Sequence, residues 1–261
     1  KMDQDHYCVR WDWSNGSVEQ TGVHEYTLIG DGSSNHLEFA VSFALNEPAA
    51  AKPKEVIEAS GSFWEAFWQT GAALDFSEST DPRAMELERR VVLSQYLTAI
   101  HSGGTLPPQE TGYMYNSWFG KFHLEMHWWH GAHFPIWGRK EFLENSLEWY
   151  QTILPQAKEL AESQGYDGAR WPKMVGIDGK QSPSPVAPGL IWQQPHPMAL
   201  AEMCYQVQPS DEFLKRLQSI VFEAADFMVS YAHWDEDKEA YVLGPPLIPA
   251  QECHYIHESI N

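Results

Sequence analysis

The stretch GKFHLEMHWWHGAHF, Gly120 to Phe134, decides how the rest of the chain is read. Its composition fits a helix better than a strand, and the spacing predicts one over roughly Phe122 to Trp137. On such a helix His123 and His127 share a face one turn apart, while Glu125 lies about 160 to 200° round the axis from both at 100° per residue. The zinc-hydrolase spacing is H-E-x-x-H; here it is H-x-E-x-H, which turns the carboxylate away from the imidazoles. Two histidines at i and i+4 could still bind a metal with a ligand from elsewhere. Alternatively, the histidines are hydrogen-bonded and the tryptophans packed at a helix interface. A third reading is a sugar-binding surface: Trp128 covers the apolar face of a pyranose while His123, Glu125 and His127 meet its hydroxyls. We carry the third reading forward, with no metal and no cofactor assigned.

Helical periodicity extends on both sides of this stretch. SFWEAFWQTGAALDF follows a candidate cap at Ser62 with Glu65 three residues on, and Asp81-Pro82 opens DPRAMELERRVVLSQYLTAIHSGG, which ends in a glycine stop. Further helices are predicted over Glu141 to Ser163, Pro197 to Gln206 and Asp211 to about His233. Residues 5 to 45 read instead as strands, with Leu37, Phe39, Val41 and Phe43 alternating against Glu38 and Ser42 between Gly/Ser/Asn-rich turns. So few strands need a partner layer. The predicted organisation is therefore residues 1–46 as strands of a larger β-domain, 47–60 as a linker and 61–261 as a helical unit.

Long loops fall at 103–118, 165–196 and 239–261, and loops of that length inside a domain are more often functional than idle. In the last of them Glu252 follows Pro245, Pro246 and Pro249. A general acid must be held protonated near neutral pH, and partial burial on a stiffened loop does that; the alternative is an ordinary solvated carboxylate. In GYDGARWPKMVGIDGK, Arg170 and Trp171 sit between two turns, where the guanidinium clamps a substrate oxygen or merely tethers the loop. QQPHPMALAEM places Gln194 and His196 ahead of a helix, facing a cleft or capping the helix.

Composition narrows the function. The 261 residues carry 36 acidic against 17 basic side chains, a formal charge of −19. Such a field repels phosphate backbones and anionic lipid, so neither nucleic acid nor a membrane surface fits as a partner. Three cysteines without a CxxC pair imply neither a disulfide framework nor a zinc ribbon. No phosphate loop, G-x-S-x-G elbow or dinucleotide fingerprint is present. Compartment and oligomeric state are not specified by these features.

Taken in order, these segments resemble the six-hairpin glycosidases, in particular the family of maltose, trehalose and kojibiose phosphorylases and their hydrolase relatives, with a fainter likeness to the inverting α-L-fucosidases. FWEAFWQTGAALDF is similar to that family's first barrel helix, WFGKFHLEMHWW to its G-H-x-F-W-D-T-E segment, GARWPKMVGIDGK to its G-A-R-F-P-W loop, and LGPPLIPAQECHYIHESIN to its G-P-D-E-Y-H segment. The resemblance implies the first part of an (α/α)6 barrel behind a β-sandwich, Glu252 as general acid and Glu125 at the sugar-binding aspartate. Leu124 stands where the family has tryptophan, His127 where it has a second acid, and Pro-Leu-Ile-Pro is inserted before the acid. These departures put the sugar in question. The catalytic base of an inverting mechanism is expected beyond Asn261. The substrate so implied is an oligosaccharide or other glycoside. Glycoside hydrolysis with inversion is the leading expectation, against an inverting phosphorylase of the same fold, a polysaccharide lyase or a noncatalytic glycan-binding protein.

Overall fold

The computed structural model describes residues 6–184 and 186–250. It divides into two compact units, residues 1–70 and 71–261.

The first unit contains two antiparallel ladders and a helix. Strand β1 (Cys8–Trp13) pairs with β4 (Phe39–Ala44), with Trp11 opposite Val41, and β2 (Gly16–Gly22) pairs with β3 (Glu25–Gly30). Aromatic residues meet across the first ladder: Trp11 stacks on Phe39 at 6.3 Å, and Tyr7 lies 6.2 Å from Phe43. Helix α1 spans Pro53–Gln69. It begins well before Ser62, inside the segment read as a linker. Proline at the first helical turn loses nothing by lacking an N–H and arrives with the right φ, so Pro53 starts a helix rather than preventing one.

In the second unit α2 (Ala84–Ser102) follows Asp81-Pro82 and stops where Gly103 N donates to Ala99 O. The predicted helix over Phe122–Trp137 does not form as one element. Phe122–His123 is a short strand, β5, paired with β6 (Met174–Val175); Leu124–Met126 is a single 3-10 turn; only then come α3 (His127–Gly131) and α4 (His133–Ile136). Competition for backbone donors explains the break. His123 N donates to Pro108 O at 3.0 Å and Leu124 N to Lys173 O at 2.8 Å, so both amides are bonded to distant loops.

The predicted helix over Glu141–Ser163 is likewise two, α5 (Glu141–Thr152) and α6 (Leu154–Ser163), because Pro155 supplies no N–H to the turn before it. Helix α7 (His196–Val207) and α8 (Asp211–Tyr231) lie close to their expected positions, α8 capped by the Ser210 hydroxyl accepting from Phe213 N at 3.1 Å. A hairpin, β7 (Ala232–Asp235) and β8 (Ala240–Leu243), follows.

Helices α5, α7 and α8 enclose the core, in which Leu143, Leu147, Tyr150, Leu200, Cys204, Leu217 and Ile220 are buried together with Leu124, Trp171 and Val175 from the connecting loops. Each large apolar side chain so buried contributes about 1.5–3 kcal/mol. Cys8 and Cys204 are free thiols. Among the described residues no helix is long and apolar enough to cross a membrane.

Candidate active site

The loop between α6 and α7 builds the site. Gly168 passes so close to α8 that a Cβ there would lie 2.2 Å from Glu223 O, and its φ is +72°; both facts require glycine. Ala169 N then donates to Glu223 O at 2.8 Å and Arg170 N to Ala157 O at 3.0 Å, fastening the loop to α8 and α6. The Arg170 guanidinium is buried, donates to Gln164 Oε1 and Pro188 O, and lies over the Phe227 ring at 5.6 Å.

Next, the peptide of Trp171 is gripped by an amide side chain, Gln194, which accepts from Trp171 N at 2.9 Å and donates to Trp171 O at 2.6 Å. The Trp171 ring is fully buried, edge-on to Tyr150 at 5.1 Å. With the loop locked there, Lys173 lies beside the 3-10 turn, its carbonyl receiving Leu124 N and its ammonium 3.1 Å from Glu125 Oε1.

Glu125 is the focus of this construction. Its carboxylate accepts from His123 Nε2 at 2.7 Å and from the Trp192 indole N–H at 3.2 Å, in addition to the Lys173 contact. Burial pushes the Glu125 carboxyl up, but the bonds and charges of His123 and Lys173 outweigh it and hold the group below the usual carboxylate range. Glu125 is thus an anion at neutral pH, an acceptor rather than a proton donor. Around it His196 lies edge-on to Trp192 at 5.1 Å and 6.0 Å from Trp128. Burial lowers the His196 pKa, so its ring is neutral there.

The chain is extended at His123 and turns into a 3-10 turn at Leu124, which corrects the helical placement of Glu125: its carboxylate meets His123 directly. His127, by contrast, faces the core. Its Nδ1 is 3.0 Å from Tyr150 Oη and its Nε2 is 2.9 Å from Ser146 Oγ. Because Ser146 spends its proton on Leu143 O, its oxygen accepts from His127 Nε2–H and Tyr150 donates to Nδ1. The ring is neutral, its pKa driven down to about 3 by burial.

The structure therefore gathers His123, Glu125, Trp128 and His196 and adds Lys173 and Trp192, which sequence reasoning passed over. Their only local signal was position, Lys173 just after the Arg-Trp-Pro run and Trp192 just before the paired glutamines. His127, Arg170 and Gln194 are buried behind the cluster with side-chain polar groups bonded to protein partners, and the buried Trp171 ring lies among them with its Nε1 unpartnered among the described residues. Glu252 lies outside the described residues. No group of three or more His, Cys, Asp or Glu is placed to hold a metal among the described residues. A recess of about 690 Å³ beside the start of α2 is lined by Asp81, Arg83, Glu86 and Arg90, but these are ion-paired with one another (Arg83–Asp81 and Arg90–Glu86, both 2.8 Å) and face water. It offers no converging free polar groups.

No protein-family model matches the chain, and no curated protein matches it. Among solved structures it is similar to one described as "Putative kojibiose phosphorylase from human microbiome", at 15% identity and a TM-score of 0.62, over 96% of this chain and 36% of that one. The chain thus spans little more than a third of that protein's length, and what the two share is the fold.

Proposed function

We propose that the chain supplies the sugar-binding part of a carbohydrate-active enzyme of the six-hairpin class, one that cleaves a glycosidic bond with inversion. In this reading the second unit is the first part of an (α/α)6 barrel. Glu125 accepts hydrogen bonds from hydroxyls of the sugar being cleaved, the Trp128 and Trp192 rings border its apolar face, and Glu252 protonates the departing oxygen. A second carboxylate, at the roughly 6.5–9.5 Å separation typical of inverting enzymes, activates water on the opposite face.

One observation carries the proposal: a buried carboxylate kept ionised by three donors between indole and imidazole rings. Such a group binds neutral, hydroxyl-rich ligands, because each hydroxyl proton it accepts forms a charge-assisted bond. Two further facts support the assignment of the acid. Ile248, four residues before Glu252, forms a parallel bridge with Leu190, and Ile191 N donates to Ile248 O at 3.3 Å. The last described residues therefore run beside the segment that carries Trp192.

The description of the structural neighbour favours a second reading, phosphorolysis, in which phosphate replaces water as the attacking group. Incubating the protein with a panel of disaccharides that includes kojibiose, with and without inorganic phosphate, separates the two: free sugars alone signify hydrolysis, a sugar 1-phosphate phosphorolysis. Glu252→Gln is expected to keep binding and lose turnover by at least about a hundredfold. Turnover unaffected by that change would remove Glu252 from the acid's role.

A further inference from the structure

Helix α8 buries one side, with Phe213, Leu217, Ile220, Ala224, Phe227 and Tyr231 in the core, and leaves an apolar ridge on the other. There Phe222 is 60% and Val229 76% exposed. Lys215, Phe222 and Val229 follow one another at seven-residue steps, so at 100° per residue each neighbour lies within about 20° of the line through Phe222. Beside that ridge a groove of about 370 Å³ runs between α7 and α8, lined by Met198, Ala201, Tyr205, Leu214, Leu217 and Val221. A single exposed apolar residue is ordinary, but a ridge of them along an open apolar groove is a shape made for a partner.

The charges of the helix narrow the choice of partner. Arg216 is committed to Glu144 and Glu148, and Glu223 to Lys158. Lys215 and Asp226 are exposed and make no ion pair among the described residues. They lie eleven residues apart, about three turns, on one flank of the ridge. A second copy of α8 running antiparallel across a two-fold axis brings like flanks together, and with the axis between Ile220 and Val221 each Lys215 meets the other copy's Asp226. The same axis sets each Phe222 against the Gln218–Ser219 turn of the other copy, where Gln218 lines the groove. One register thus satisfies both the charges and the ridge. A parallel copy does not, because it sets Lys215 against Lys215 and Asp226 against Asp226.

We infer that two copies of this chain associate through α8 in this antiparallel register, independently of what the Glu125 site binds. The contact is one helix face about 30 Å long, less than the roughly 800 Å² per partner of a standard interface. The dimer is therefore weak, with a Kd of about 1–100 µM.

Sedimentation velocity of the whole protein across the micromolar range tests this. Wild type should pass from monomer to dimer there. Phe222→Ser, and either charge reversal alone (Lys215→Asp or Asp226→Lys), should weaken the dimer about tenfold or more with the thermal midpoint unchanged. Combining the two reversals in one chain, or mixing the two single variants, should restore it, since each arrangement again places an acid opposite a lysine at both ends of the contact. A wild type that stays monomeric throughout that range, or a dimer indifferent to Phe222→Ser, overturns the association through α8. Reversals that leave the dimer intact, or that combine without rescue, overturn the antiparallel register.

Discussion

His123 and His127 stand one helical turn apart in the sequence yet belong to opposite kinds of environment. His123 is on a two-residue strand and bonds an ionised carboxylate at the edge of a polar cluster. His127 is on a helix and bonds two neutral hydroxyls in the middle of the core. The same side chain is on one side part of a charged cluster and on the other a packing element that happens to be polar. A histidine-rich segment is therefore not a histidine site; what matters is whether the group a ring bonds is a charged carboxylate or a neutral hydroxyl.

The contrast can be broken most severely at His127. His127→Ala removes a buried ring and leaves Tyr150 Oη and Ser146 Oγ short of a partner, so urea unfolding should show a loss of about 3–4 kcal/mol. Glycan binding by the folded fraction should stay within about threefold; a selective loss of binding with stability intact would place this residue in the site after all. The converse change, Glu125→Gln, keeps the shape but removes the charge, and should lower kcat/KM about a hundredfold, equivalent to about 2.7 kcal/mol. Near-normal activity there would end the case for Glu125 as acceptor.

Acid should separate the two histidines as well. The folded-state pKa of His127 is depressed, so the unfolded chain binds the extra proton; its contribution to stability is complete above about pH 6.5 and is lost as pH falls toward about 3. Between pH 6.5 and 5 this ring alone should cost about 2 kcal/mol, read from denaturation midpoints as the difference in pH slope between wild type and His127→Gln. Equal slopes would mean that the ring is not buried neutral. Glu125, whose pKa is held down by His123 and Lys173, stays ionised throughout that range. The smallest effect is expected for Trp192→Phe, which keeps a ring but deletes the N–H bond to Glu125 and should weaken glycan affinity by about 0.5–1.5 kcal/mol in calorimetry. A full loss would show that the indole does more than donate one bond.

Legibility in the sequence followed the range of the interactions. Helix α8 was readable over nearly its whole length, and the structure shows why: its Ser210 cap and its buried apolar residues are local to the element. Helices α2 and α7 were legible for the same reason, with a glycine stop in one and proline at the start of the other. Helix α1 starts inside the segment read as a linker, because the local chemistry of Pro53 permits a helix to open there. In the candidate site Glu125, His123, Trp128 and His196 stood out as residue types, and Arg170, Trp171 and Gln194 carried the same signal although their side chains are buried. Lys173 and Trp192 gave no signal beyond their position, since an ammonium or an indole looks the same whatever carboxylate it meets.

By itself the sequence determined the net acidic charge, the mainly helical second unit and the turns that flank Arg170, each a matter of composition or of neighbours a few residues apart. Only the tertiary structure decided that Phe122 to Met126 leaves the helical path, because Pro108 O and Lys173 O, far along the chain, bond the amides of His123 and Leu124. That bend brings His123, Glu125 and Lys173 together. A helical period counts acceptors four residues back and is blind to one supplied by another loop.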